Sequence, residues 1–433
     1  MNDELTNRLD RLRVPLRAAY LALVLLATLS FLRLDVDGPS IVRRLGRMLD
    51  LSVSRRDIAD GARNVALFAG WGLVWMLTAR PGRSWVELRN AVVSGACASL
   101  FVESVQLLSD TRVASVLDVF TNTSGALLGA LFLALLVRGV AAGSGARSYV
   151  GIPAWIFATA YAGAALVEAL LPLAMEEERI TTAGGPLARL ATTFGAVRAE
   201  SVLELSPGGV LLFLPAGAFA VAALAERGGP YRRSATLVSL VAAILLPLAQ
   251  VAHGALGVEI HLGHALAHVG GVGLGAWATA WGLPRATPAV RGAARPRWVT
   301  AGYACVLAAW ALRPFRPEIS WAAVTAKLTA PWWVPLRSLG IRGDLYSVAD
   351  VSSTFLLYLP VGALLAVWPL RRGGWLSGAL PAICFAAAME LAQALIATRS
   401  LDVTDWMIAG AGAGVGWLAV RRAGLRPYGA QLP

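Results

Sequence analysis

Apolar runs of about 17–22 residues, each long enough to cross a bilayer, alternate along the chain with short segments that hold most of the charge. Twelve such runs predict helices near 16–32, 62–79, 90–108, 116–137, 152–173, 207–225, 234–256, 262–282, 298–313, 351–369, 375–396 and 404–420. They fall into three sets of four. The second run of each set holds NVALFAGWG (64–72), GVLLFLPAG (209–217) or TFLLYLPVG (354–362), so Phe68, Phe213 and Tyr358 are spaced by 145 residues each time. In the fourth runs, Asp118, His264 and Asp405 each precede two glycines by seven and eleven positions. A period this regular predicts three tandem copies of one unit: 1–148, 149–296 and 297–433, the middle one degenerate. The expected fold is all-α, a polytopic integral membrane protein with about 12 transmembrane helices in three four-helix repeats.

The polar interruptions repeat as well. Glu103, Gln106, Arg112, Asp118 and Asn122 lie at one helical hairpin, and Glu390, Gln393, Arg399, Asp402 and Asp405 at another with matching spacings. Residues three or four apart share a helix face, so each hairpin gathers carboxylates and amides at one end. An ionised side chain inside a span is costly and marks a bundle interior or cavity. Two readings follow: a polar pocket for an anionic or hydrogen-bonding headgroup, or a buried network that pins the hairpin. Asp60, Asn64 and Asp350 are supporting candidates, and the two aspartates are expected to cap the second span of their copies. In the middle copy Pro247 replaces the glutamate, Gln250 remains, and no arginine holds the turn. Gly125-x3-Gly129, Gly271-x3-Gly275 and Gly412-x3-Gly416 predict close helix packing.

Composition agrees with the pattern: 57% of residues are hydrophobic, 15% are charged, and the mean hydropathy is +0.63, whereas a soluble domain carries about a quarter charged residues. The net charge of +12 does not point to nucleic acid, because the basic residues sit in short loops where they set orientation. With the N-terminus cytoplasmic, the inner segments and their borders hold 21 of the 38 Lys/Arg and 5 of the 26 Asp/Glu. Both termini are therefore expected inside, with an uncleaved first span. The long loops at about 33–61 and 314–350 contain segments suited to an interfacial position.

All four histidines lie in the middle copy. His261, His264 and His268 share one helix face, a spacing open to a divalent metal, a proton relay or pH sensor, or a plain hydrogen-bonded cluster; metal is the weakest expectation, and no cofactor is expected. Cys97, Cys305 and Cys384 fall inside apolar runs and read as small core residues, not as a disulfide framework.

At these residues the chain resembles the VanZ-like membrane family, named for a glycopeptide (teicoplanin) resistance protein. Asp60, Asn64, Phe68 and Gly72 with Glu103, Gln106, Arg112, Asp118, Asn122 and Gly125 match the family pattern. Asp350, Tyr358, Pro360, Gly362, Glu390, Gln393, Arg399, Asp405 and Gly412 match it again, with Ala409 where asparagine is expected. The resemblance implies a polytopic protein of the bacterial cytoplasmic membrane tied to the cell envelope. Together with the duplicated charged set at one membrane face, it leads us to expect recognition or handling of an envelope lipid, envelope precursor or glycopeptide-type ligand, with membrane lipids as partners. Catalysis is the less favoured class. The alternatives are an enzyme acting on a lipid-linked substrate and a proton-coupled transporter.

Overall fold

The computed structural model describes residues 2–29, 33, 37–48, 55–80, 84–110, 114–143, 152–170, 207–255, 262–285, 295–313, 316–330, 333, 345–367, 376–397 and 399–425. Among them the protein is all-α. The helices are α1 (Asn2–Leu29), α2 (Gly38–Met48), α3 (Arg55–Leu77), α4 (Ser84–Gln106), α5 (Val116–Gly143), α6 (Trp155–Leu170), α7 (Pro207–Glu226), α8 (Tyr231–Ala255), α9 (Leu262–Gly282), α10 (Arg295–Ala311), α11 (Trp321–Thr329), α12 (Leu345–Val367), α13 (Leu376–Gln393) and α14 (Val403–Arg422). Each predicted apolar run falls on a helix, and α2 and α11 lie in the two long loops that were expected to hold interfacial segments. Six helices, α1, α5, α7, α8, α12 and α14, are long and apolar enough to cross a membrane, with α6, α10 and α13 shorter but apolar. The chain is thus an all-α polytopic membrane protein.

In α4 the buried face is smaller and more polar than much of the exposed one. The buried face of α4 runs Glu87, Ala91, Gly95, Ser99, Val102, Glu103 and Gln106, while Val93, Leu100 and Phe101 are exposed. Helices in lipid gain nothing from hiding leucine, so they meet through small residues and hydrogen bonds. The three cysteines follow this rule: all are exposed, contrary to their expected place in the core.

The chain divides into two compact units, residues 1–139 and 140–433. In the first, α3 and α5 approach backbone to backbone. A Cβ on Gly72 would overlap the carbonyl oxygen of Ala126, one on Gly125 that of Val65, and one on Gly129 that of Ala69. Trp71 joins α3 to α4 by donating from Nε1 to Ala91 O (3.3 Å) and Ser94 Oγ (3.1 Å). Tyr20 of α1 donates its hydroxyl to Leu67 O at 2.8 Å.

The second unit uses the same contacts twice. Gly217, Gly271 and Gly275 bring α7 against α9, meeting Val272 O, Val210 O and Leu214 O. Gly362, Gly412 and Gly416 bring α12 against α14, meeting Ala413 O, Phe355 O and Leu359 O. The tyrosine contact also recurs: Tyr161 donates to Leu212 O and Tyr303 to Leu357 O, both at 2.7 Å. The accepting carbonyls lie three residues before Pro215 and Pro360, on helices interrupted by a proline that donates no N–H. α6 and α10 each pack against both α7 and α12. Phe157, Tyr161, Phe219, Tyr303 and Trp310 meet there with centroids 5.3–5.9 Å apart. Edge-to-face stacking of this kind adds to the burial of the rings.

Candidate functional site

The polar residues of the first hairpin converge where α4 ends and α5 begins. A helix leaves its first N–H groups without partners, and α5 meets this in two ways. Ser115 accepts from Leu117 N through its hydroxyl at 3.1 Å. Glu103, buried at the end of α4, accepts the N–H of Ser115 itself at 2.9 Å. Asn64 of α3 donates to Asp118 Oδ1 at 2.8 Å. Asn122, one turn deeper, donates to Ser99 Oγ at 2.9 Å, and its Oδ1 is buried with no hydrogen-bond partner among the described residues. Gln106 donates to Thr28 O of α1 at 3.3 Å. Arg112, the expected turn arginine, lies outside the described residues.

The later hairpin is built alike. Glu390 of α13 is buried and accepts Asp402 N at 3.0 Å. Asp402 is the N-cap of α14 and accepts Thr404 N at 2.7 Å. Its expected place among the ligand-binding carboxylates is thus filled first by a capping role. Gln393 turns back to Glu390 Oε1 at 3.0 Å. Glu390 and Asp405 meet through their side chains, and Asp350 and Asp402 lie within electrostatic reach of both. Arg399 points elsewhere: its Nε donates to Arg313 O at 3.0 Å, at the end of the first helix of that set.

Helices α2 and α11 brace the two hairpins through the same contacts. Asp110 N donates to Arg33 O and Ala397 N to Arg316 O. Arg44 of α2 reaches Leu107 O at 3.4 Å, and Lys327 of α11 reaches Ile396 O at 2.6 Å. In each case a cation meets carbonyls at a helix C-terminus, the favourable end for positive charge.

Asp60 and Asp350 do not cap their helices. α3 starts at Arg55 and α12 at Leu345, five residues earlier in each case. Asp60 pairs with Arg63 on the surface, and the backbone carbonyl of Asp350 accepts from Ser353 Oγ. In the middle set His264 is exposed, and His268 stacks on Phe213 with centroids 3.9 Å apart. His261 and the side chain of His253 lie outside the described residues. No group of three metal-ligating side chains occurs among the described residues.

A second polar network, absent from the sequence-based expectations, occupies the opposite end of the first unit. Glu87, in the first turn of α4, accepts from Arg17 Nη2 at 3.2 Å and from Trp75 Nε1 at 3.0 Å. The Arg17 guanidinium lies 3.8 Å over the Trp75 ring and also bonds Thr78 Oγ1 and Trp75 O. Arg13 donates from Nε to Thr78 O at 3.1 Å. These acceptors sit at the C-terminal end of α3, whose last carbonyls have no helical partner. The Trp and Glu of one set and the arginines of a helix some 70 positions away are joined only by the fold.

The Glu103 bond has a measurable consequence. Glu103→Ala leaves Ser115 N–H unpaired and is expected to cost about 1–3 kcal/mol. Glu103→Gln keeps a carbonyl oxygen in place and should cost less than half as much. Thermal unfolding of both variants in detergent checks this; equal losses would show that the acceptor is not what matters.

Residues 18–137 match the family model described as VanZ/LLP1. No curated protein matches the chain, and no solved structure does. The matched segment contains the last twelve residues of α1, all of α2, α3 and α4, the hairpin with Glu103 and Asn122, and most of α5, so the similarity to VanZ/LLP1 falls within the first unit.

Proposed function

We propose that the chain is a three-copy VanZ-like protein with twelve spans and both termini cytoplasmic, and that it recognises or handles an envelope lipid or glycopeptide-type ligand at outward-facing polar ends of its first and third copies. The glycine seams and tyrosine bonds, found in each set, and the glutamate caps of the first and third support the three copies. The excess of basic residues in alternate loops supports the orientation.

The observation that carries the ligand reading is Asn122 Oδ1, a buried acceptor without a donor among the described residues, one turn below Asp118 and the Asn64 amide. A buried acceptor left unmatched costs about 1–3 kcal/mol, which a ligand hydroxyl or amine would recover. Hydroxyl- and amide-rich envelope molecules have that chemistry. Asp118→Asn keeps the shape and an acceptor for Asn64 while removing a charge. Native mass spectrometry of the purified protein is expected to show a bound envelope molecule on wild type, reduced about tenfold in Asp118→Asn. Equal occupancy in the two proteins, together with full complementation of a null strain by Asp118→Asn, would sink the proposal.

The carboxyls of Glu390 and Asp405 meet in the third copy, and this favours a second reading: acid–base chemistry on a lipid-linked substrate. Turnover of such a substrate that Asp405→Asn abolishes and Asp118→Asn does not would support it.

A further inference from the structure

The network around Glu87 is not electrically closed. Two guanidiniums, Arg13 and Arg17, converge on one buried carboxylate. The nearest other acid among the described side chains is Asp10, half-exposed and 3.5 Å from Arg13 Nη2, with Arg80 also 3.8 Å from it. Arg13 Nη2 lies 3.6 Å from Glu87 Oε1. Both Arg13 separations exceed ordinary N–H···O hydrogen-bond length, and Nη2 is buried with no hydrogen-bond partner. Among the described side chains, three arginines, Arg13, Arg17 and Arg80, meet two acids, Asp10 and Glu87, so the cluster is cationic.

The surroundings place it at a bilayer surface. Leu12, Val14 and Leu16, interleaved with the two arginines, are exposed, Val14 at 73%. Trp85, two residues before Glu87, is 69% exposed, the setting an amphipathic ring takes at headgroup level. The apolar span of α1 begins at Asp10, so Arg13 and Arg17 occupy its first turns, where lipid phosphates lie. Arg17 is already committed to Glu87, Thr78 and Trp75. Arg13 has a fork whose buried Nη2 makes no hydrogen bond among the described residues, and a planar fork matches phosphate oxygens.

We propose that Arg13, backed by the Arg17–Glu87–Trp75 anchor, is a binding site for the phosphate of an anionic membrane lipid. The site is at the opposite end of the unit from Glu103 and is independent of the ligand reading above. The test uses the full chain in nanodiscs of phosphatidylcholine with part of it replaced by phosphatidylglycerol, followed by native mass spectrometry of retained lipid and thermal unfolding. Wild type is expected to retain phosphatidylglycerol over phosphatidylcholine and to unfold at a higher temperature with it. Arg13→Gln should reduce that retention roughly fivefold, the value of one surface cation near lipid phosphate, and Arg13→Lys should fall between. Millimolar sodium phosphate should neither reproduce the thermal shift nor displace the lipid. Equal retention of the two lipids by wild type, unchanged retention in Arg13→Gln, or a full shift from sodium phosphate alone would each overturn the proposal. The first and third of these need no variant to fold.

Discussion

Glu87→Ala is expected to lower the unfolding free energy of the first unit by about 3–5 kcal/mol, the usual loss when one partner of a buried charge pair is removed. The size follows from what is left behind. Arg17 would keep its bonds to Thr78 and Trp75 but lose its carboxylate partner at 3.2 Å, and Arg13 would keep its bond to Thr78 O and, of its two carboxylate partners among the described residues, half-exposed Asp10. The Trp75 indole N–H would be orphaned as well. Glu87→Gln retains an acceptor for Trp75 and should lose less. Denaturant titration followed by tryptophan fluorescence gives both values. A loss below about 1 kcal/mol for Glu87→Ala would mean that water reaches the arginines freely and that the network is a surface feature.

Gly362→Ala should be nearly as damaging, for a steric reason. Its Cβ would overlap the carbonyl oxygen of Ala413, a backbone atom that no rotamer change can move. Overpacking of this kind costs about 1–3 kcal/mol. Gly414→Ala, on the partner helix, meets nothing within 4 Å and should gain up to about 1 kcal/mol from helix propensity. The opposite signs on one helix pair are the decisive comparison, again by unfolding in detergent. Gly72→Ala and Gly217→Ala should behave like Gly362→Ala; a copy in which the substitution is harmless would not share the seam.

The helices were legible because length and apolarity mark them directly. The matched spacing of the two hairpins gathered their polar residues at one end, but it did not name the Ser115 N–H as the partner of Glu103. What the sequence hid was burial. Leu240, Ile244 and Leu245 of α8 are exposed, while Ser99 and Asn122 are buried; in a lipid-facing protein hydrophobicity marks the outside. The three cysteines were misplaced for that reason. Asp60 and Asp350 were expected as caps because they stand just before the second apolar run of their sets, where a carboxylate can accept free N–H groups, yet both lie inside helices that start five residues earlier. Ser115 was overlooked although Ser115 to Asp118 and Asp402 to Asp405 have the N-cap-to-N3 spacing of a helix start. The arginines at 13 and 17 were read for orientation only. Their partner at 87 is not marked by any local pattern, since only packing of α1 against α3 and α4 brings them together.

The glycine seams also bear on motion. Two helices joined along their backbones, with no side chains between them, have no rotamers to rearrange and little freedom to slide, because packed contacts are discrete and not continuously deformable. α3 with α5, α7 with α9, and α12 with α14 should each move as one stiff strut. The first helix of each set meets its strut through a tyrosine hydroxyl bond, which can break and re-form like a latch, and α1 is held to α3 by Arg13 and Arg17 as well. Opening of a polar end would then come from the swing of α1, α6 or α10 against a fixed strut.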